Sequence, residues 1–222
     1  MSKAPSQLVL DLVWGRHLDL SPVNRGTRAV RLVVVRAIKI RCGDVMPNTL
    51  VELSRRLPRV TSLDIHGDEP TRLGQLTFMQ LTHLGRLTQL THLGLRDLRM
   101  GHTGYRALEH ALPSLGNLAS LSIRNATIGT DIVLALRSLS GLTHLDIGNR
   151  SFRHMSPSFP LALGALTTLV DLDMSGCVDF PPPSSRFGSN MLKALDRLKD
   201  SRLGLTEGGY ILALGHLEFR QQ

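Results

Sequence analysis

The residues of this 222-residue chain with chemistry to offer are its nine histidines, two cysteines and a scatter of arginines and aspartates. Nine histidines invite a metal reading, and His92 and His144 share one phrase, Leu-Thr-His-Leu. On strands two steps apart in a sheet they would stand roughly 10 Å from each other, whereas two ligands of one zinc ion, at Zn–N bonds of ~2.1 Å, lie within ~4 Å. Neither has a cysteine or histidine at ligand spacing. No metal and no other cofactor is therefore expected, and the pair reads as a recognition surface. The chain also has no phosphate-cradling glycine loop, no His-Glu-x-x-His and no Gly-x-Ser-x-Gly. A non-enzyme without a small-molecule substrate is the expectation.

What must position these side chains is a phrase that recurs six times: apolar, two variable residues, apolar, one variable residue, apolar. It reads Val35-Arg-Ala-Ile38-Lys-Ile40, Val60-Thr-Ser-Leu63-Asp-Ile65, Leu90-Thr-His-Leu93-Gly-Leu95, Leu118-Ala-Ser-Leu121-Ser-Ile123, Leu142-Thr-His-Leu145-Asp-Ile147 and Leu169-Val-Asp-Leu172-Asp-Met174. The middle anchors are 24–30 residues apart. Each phrase ends with the period of two of a half-buried strand. Between phrases, Leu50, Leu53 and Leu57, Leu108, Leu112 and Leu115, and Met191, Leu195 and Leu198 recur at helical spacing. Strand, loop, helix, loop, repeated, predicts an α/β solenoid: a curved parallel sheet on the concave side and helices on the convex side.

In that geometry the variable strand residues face out of the concave side. One column reads Arg41, His66, Arg96, Arg124, a basic stripe about 14 Å long at ~4.8 Å per strand. Another runs from Lys39 through Asp64 to Asp146 and Asp173, with Asp171 close by. The face passes from basic to acidic along the solenoid. Arg36, Lys39, Arg41, Asp64, His66, His92, Arg96, Arg124, His144, Asp146, Asp171 and Asp173 are thus the candidate partner-binding residues.

The repeat resembles the leucine-rich repeat family, L-x-x-L-x-L-x-x-N/C-x-L, in its longer, helix-bearing, ribonuclease-inhibitor-like form. Residues 35–179 carry the likeness. The motif's ninth position, Asn or Cys in the family, is Gly43, Asp68, Leu98, Ala126, Arg150 and Cys177. Only the last conforms, with Asn125 and Asn149 one place early, so either the turn is remodelled or the asparagine ladder is missing. Cys177-Val-Asp179 also matches the C-x-D triplet of bacterial leucine-rich repeat ubiquitin ligases. There the triplet lies in a separate helical domain that this chain lacks, and an inward-facing Cys177 reads better as a small core residue. Cys42 and Cys177 lie five repeats apart and are expected as free thiols.

Residues 1–34 read as an N-terminal cap or degenerate first repeat, with Leu8-Val-Leu and Ala29-Val-Arg-Leu-Val-Val as strand-like runs. Residues 35–222 read as the repeat domain: about six clear repeats, a degenerate one at Arg202-Leu203-Gly-Leu205, and a closing helix over 210–219. Between them Pro181-Pro182-Pro183 marks a surface loop. The net charge is +8, and residues 1–60 hold 11 Lys and Arg against 4 Asp and Glu. A basic end favours an acidic neighbour. With no apolar leader or spanning segment, a cytoplasmic protein without membrane attachment is expected. Asn125-Ala-Thr127 and Asn149-Arg-Ser151 are then unused sequons. The leading expectation is a scaffold that binds a protein partner bearing an acidic segment on its concave face. The alternatives are a subunit of an RNA–protein assembly using the basic end, and an adaptor or effector of the leucine-rich repeat type.

Overall fold

The computed structural model describes residues 9–12, 35–45, 48–67, 74–76, 81–100, 102–125, 132–148, 156–179, 181–182, 184–198 and 202–205. Its strands are β1 (Val9–Leu12), β2 (Ala37–Arg41), β3 (Ser62–His66), β4 (Gly74–Leu76), β5 (His92–Arg96), β6 (Leu98–Met100), β7 (Ser120–Ser122), β8 (His144–Asp146), β9 (Asp171–Met174) and β10 (Arg202–Leu205). Eight of them form one parallel sheet in the order β1-β2-β3-β5-β7-β8-β9-β10, and β4 and β6 form a small second one. The closing helix expected over 210–219 and the run 29–34 lie outside the described residues.

The register follows the anchors. Ile38, Leu63, Leu93, Leu121, Leu145, Leu172 and Leu203 are paired in sequence across the sheet. All eighteen anchors of the six phrases are 5% exposed or less. A slip of one residue on any strand would turn its anchors to water, so burial alone holds the register. The helices α1 (Thr49–Arg56), α2 (His102–Ala111), α3 (Ile132–Arg137), α4 (Phe159–Leu163) and α5 (Arg186–Arg197) cover the other side. From α2 to α5 each packs on the next. Leu50, Leu53, Leu108, Met191 and Leu195 face inward, as their three- and four-residue spacing requires. Leu112 and Leu115 are buried too, but on a 3₁₀ turn (Leu112–Ser114) and just beyond it, because Pro113 cannot continue the helix.

Two devices join the repeats. Thr91 Oγ1 donates to the Thr61 carbonyl at 3.1 Å and Thr143 Oγ1 to the Ala119 carbonyl at 2.9 Å. The same carbonyls each accept two backbone N–H groups from the following repeat. At the other end of the strands the chain turns through positive φ at Asp97 (55°), Asn125 (50°) and Gly176 (72°). Asparagine, aspartate and glycine tolerate that region best. The asparagine one place early thus serves a remodelled turn, and Asn125 Nδ2 also donates to Asp97 Oδ1 at 2.8 Å; Asn149 lies outside the described residues. Cys177, where the motif conforms, donates its thiol to the Ile147 carbonyl at 3.4 Å. Both cysteines are buried thiols outside any disulfide.

Candidate functional site: the concave face of the sheet

Residues on β2 to β9 that alternate with the anchors form three rows. The first is Ala37, Ser62, His92, Ser120, His144, Asp171, the second Lys39, Asp64, Gly94, Ser122, Asp146, Asp173. The third begins Arg41, His66, Arg96 and continues past the ends of the shorter strands to Arg124, Gly148 and Ser175. The candidate residues read from the sequence fall in these rows, with one exception. Arg36 precedes β2 and stands in the column of Thr61 and Thr91, at the edge of the face.

The two ends of the face differ in how their charges are used. Arg36, Lys39 and Arg41 are exposed, and Lys39 stands in register between Asp11 on β1 and Asp64 on β3. Arg96, with half of its side chain exposed, has one long contact, 3.5 Å from Nη2 to Asp64 Oδ2. Asp64 reaches it by leaning over Gly94, whose missing Cβ would collide with Asp64 Oδ1. That oxygen is buried and accepts no hydrogen bond.

Arg124 behaves otherwise. Its guanidinium crosses β8 to β9, where Nη1 donates to Asp173 Oδ2 at 2.7 Å and Nη2 to Ser175 Oγ at 2.7 Å; Nη1 also meets Asp146 Oδ1 at 3.2 Å. Gly148 clears the path, since a Cβ there would fall 2.7 Å from the Ser175 carbonyl and 2.8 Å from Arg124 Nη1. Ser122 Oγ donates to Asp146 Oδ2, the Gly148 amide to Asp146 Oδ1, and the Ser175 amide to Asp173 Oδ1. Burial alone would lower the Arg124 pKa, but the hydrogen bond to Asp173 and the charges of Asp146 and Asp173 raise it above arginine's usual value. Burial likewise pushes the Asp173 carboxyl up, and the hydrogen bonds from Ser175, together with Arg124, more than reverse this and hold it below the usual carboxylate range. The continuous four-residue basic stripe expected from the sequence is therefore revised. Its fourth member is neutralised within the chain, because two aspartates and a serine on the next two strands stand within a guanidinium's reach. Spacing alone places side chains in a column without saying which neighbour each will meet.

The histidines are oriented by their neighbours. His66 Nδ1 lies 3.0 Å from the Gly67 carbonyl, which can only accept. His66 therefore donates from Nδ1. His92 Nδ1 is 2.7 Å from Thr91 Oγ1 and His144 Nδ1 2.8 Å from Thr143 Oγ1. Each threonine hydroxyl has one proton and lies within hydrogen-bond reach of both a carbonyl of the preceding repeat and the adjacent imidazole, so it holds the Nδ1 edge of the ring in place whichever of the two accepts that proton. The signal was present in the sequence as the recurring Thr-His pair, but only the carbonyl bonded by each threonine gives it meaning. Among the described residues no group of three or more His, Cys, Asp and Glu gathers as metal ligands, and no helix is long and apolar enough to cross a membrane.

No protein-family model matches the chain, and no curated protein sequence does. Solved structures are similar to it in fold. An internalin from Listeria monocytogenes is 16% identical over 82% of this chain and 50% of its own, with a TM-score of 0.46. TLR13 in its complex with ssRNA13 is 19% identical over 78% of this chain and 23% of its own, with a TM-score of 0.50. This chain spans half or less of the length of either. TLR13 is a leucine-rich repeat protein, and the repeated phrase, the parallel sheet, its register and its helical outer side define the fold here: the chain folds as a leucine-rich repeat solenoid.

Proposed function

We propose that the protein is a non-catalytic cytoplasmic scaffold, built from the longer ribonuclease-inhibitor-like repeat, whose concave face docks an acidic segment of a protein partner. The observation that carries this is the contrast between the two ends of the face. Arg124, Asp146 and Asp173 satisfy one another, whereas Arg36, Arg41 and, but for one long contact, Arg96 present cationic donors not taken up in such a network; Lys39, in register between Asp11 and Asp64, adds its charge to the same end. A carboxylate-bearing segment supplies the missing acceptors through charge-assisted hydrogen bonds, and the field of such a patch speeds its arrival. Asp64, His66, His92, His144 and Asp171 line the path such a segment takes across the strands.

An RNA occupant is the competing reading, since TLR13 forms a complex with an ssRNA. Against it, the three rows contain no Phe, Tyr or Trp to stack a base. The test is the binding of two rhodamine-labelled probes of equal charge, an alternating Glu-Gly peptide and a single-stranded oligoribonucleotide, followed by fluorescence anisotropy. The peptide is expected to bind, with affinity falling as salt rises, and the double variant R41E/R96E to lose about tenfold or more. Unchanged binding by the variant, or a clear preference for the RNA, overturns the proposal.

A further inference from the structure

We infer that docking of an acidic segment on this face is coupled to proton uptake by His66, His92 and His144, so that binding strengthens as pH falls through the range in which histidine acquires its charge. The inference rests on the proposed docking of an acidic segment and adds its regulation. Its basis is the shared geometry of the three rings. In each, Nδ1 is held against an oxygen that can accept a hydrogen bond, Gly67 O, Thr91 Oγ1 or Thr143 Oγ1. A doubly protonated ring donates from both nitrogens, so proton uptake keeps each of these contacts and needs no ring flip. It turns a neutral ring on the docking face into a charged donor.

The surroundings set what each charge would meet. His66 on β3 is in register with Arg41 on β2 and Arg96 on β5, with Lys39 diagonal to it on β2 and Asp64 two residues away on its own strand. A protonated His66 joins the two arginines into an unbroken cationic run at ~4.8 Å steps, which replaces the stripe that Arg124 does not complete. His92 faces Ser62 and Ser120 on the adjoining strands, with Asp64 diagonal to it and Arg96 further along β5. His144 lies between Ser120 on β7 and Asp171 on β9, with Asp146, Asp173 and the Arg124 guanidinium nearby. A carboxylate laid against an imidazole favours its charged form, and by linkage a ligand that favours the protonated form binds better where protons are plentiful.

The experiment measures anisotropy of the rhodamine-labelled Glu-Gly peptide at fixed ionic strength from pH 8 to pH 6, with the wild type and with H66Q/H92Q/H144Q. Glutamine keeps a polar side chain of similar reach and cannot take up a proton in this range. The wild type is expected to gain about fivefold or more in affinity over the two pH units, and the variant, compared with its own affinity at pH 8, to gain less than about twofold. Calorimetry in two buffers of different ionisation enthalpy then shows proton uptake for the wild type alone. Binding that is independent of pH, or a pH dependence that survives in the variant, overturns the inference while leaving the docking reading intact. Failure of the peptide to bind at any pH overturns the docking reading, and this inference with it.

Discussion

Arg124 donates to Asp173 at 2.7 Å across an intervening strand, although 49 residues separate them in the chain. Together with Asp146 and Ser175 this ties three consecutive repeats on one face, whereas the other side-chain links described join neighbouring repeats only. Replacing Arg124 by glutamine leaves two carboxylates facing each other without a cation. The expected loss is about 1–2 kcal/mol, hydrogen bonds to charged groups being worth ~1.5–3 each before the discount for the partial exposure of this site. Urea denaturation at pH 7 measures it, and a loss under ~0.3 kcal/mol would mean that the network is a solvated arrangement of no consequence.

The same pair fixes a pH dependence. The folded-state pKa of Asp173 is lowered, so its contribution is fully present above the ordinary aspartate value of ~3.9 and disappears as pH falls through the lowered one. The stability gap between wild type and R124Q should therefore persist from pH 7 to about 5 and narrow below about 4. A gap that widens in acid would reverse the sign of the coupling.

Gly148→Ala places a methyl group against the Ser175 carbonyl and the Arg124 guanidinium. The side chain can yield but the carbonyl cannot without moving β9. A cost of about 1–3 kcal/mol is expected, in the range of overpacking in a close-fitted site. The double variant G148A/R124Q should cost clearly less than the sum of the two, because the arginine that the methyl displaces is already gone.

In the middle of the sheet, Leu121→Ala should cost about 2–5 kcal/mol, since the side chain is 1% exposed and closely surrounded. Ser122→Ala beside it removes only the bond to Asp146, about 0.5–1 kcal/mol. Equal losses in thermal unfolding would put the strand in the wrong register.

Cys177 is 3% exposed, with its thiol directed at the Ile147 carbonyl. It should react with iodoacetamide at the global unfolding rate or slower, and freely in denaturant. Rapid labelling of the native protein would contradict the core assignment and make the cysteine a candidate nucleophile again.

The anchors were legible because burial acts on every one of them in the same way: six copies of a three-anchor phrase admit one register, the second and third anchors lie where the period of two puts them, and the first, three residues earlier, is buried with them. The outward residues were legible only as positions. That Asp64 leans over Gly94 and Arg124 passes over Gly148 depends on which of several reachable partners wins, a contest between hydrogen bonds of similar strength that periodicity does not encode. The asparagines were visible but their purpose was not, because a left-handed turn and an inward-facing ninth position both favour asparagine, for different reasons. That Thr91 and Thr143 hold the Nδ1 edge of the histidine that follows each was not legible, because spacing does not say which neighbour a hydroxyl meets.

The threonine joints and the Arg124 tie also differ in how they would fare when such a gene gains or loses a segment. A threonine joint links only adjacent repeats, so a unit duplicated between β2 and β5 brings its own joint with it and disturbs none elsewhere. The arginine tie reaches past its neighbour, and removing the unit that carries β8 takes away both Asp146 and the glycine over which the side chain passes. Insertion of a whole repeat is therefore expected to be better tolerated between β2 and β5 than within the stretch from Ser120 to Ser175, where it would part Arg124 from Asp173.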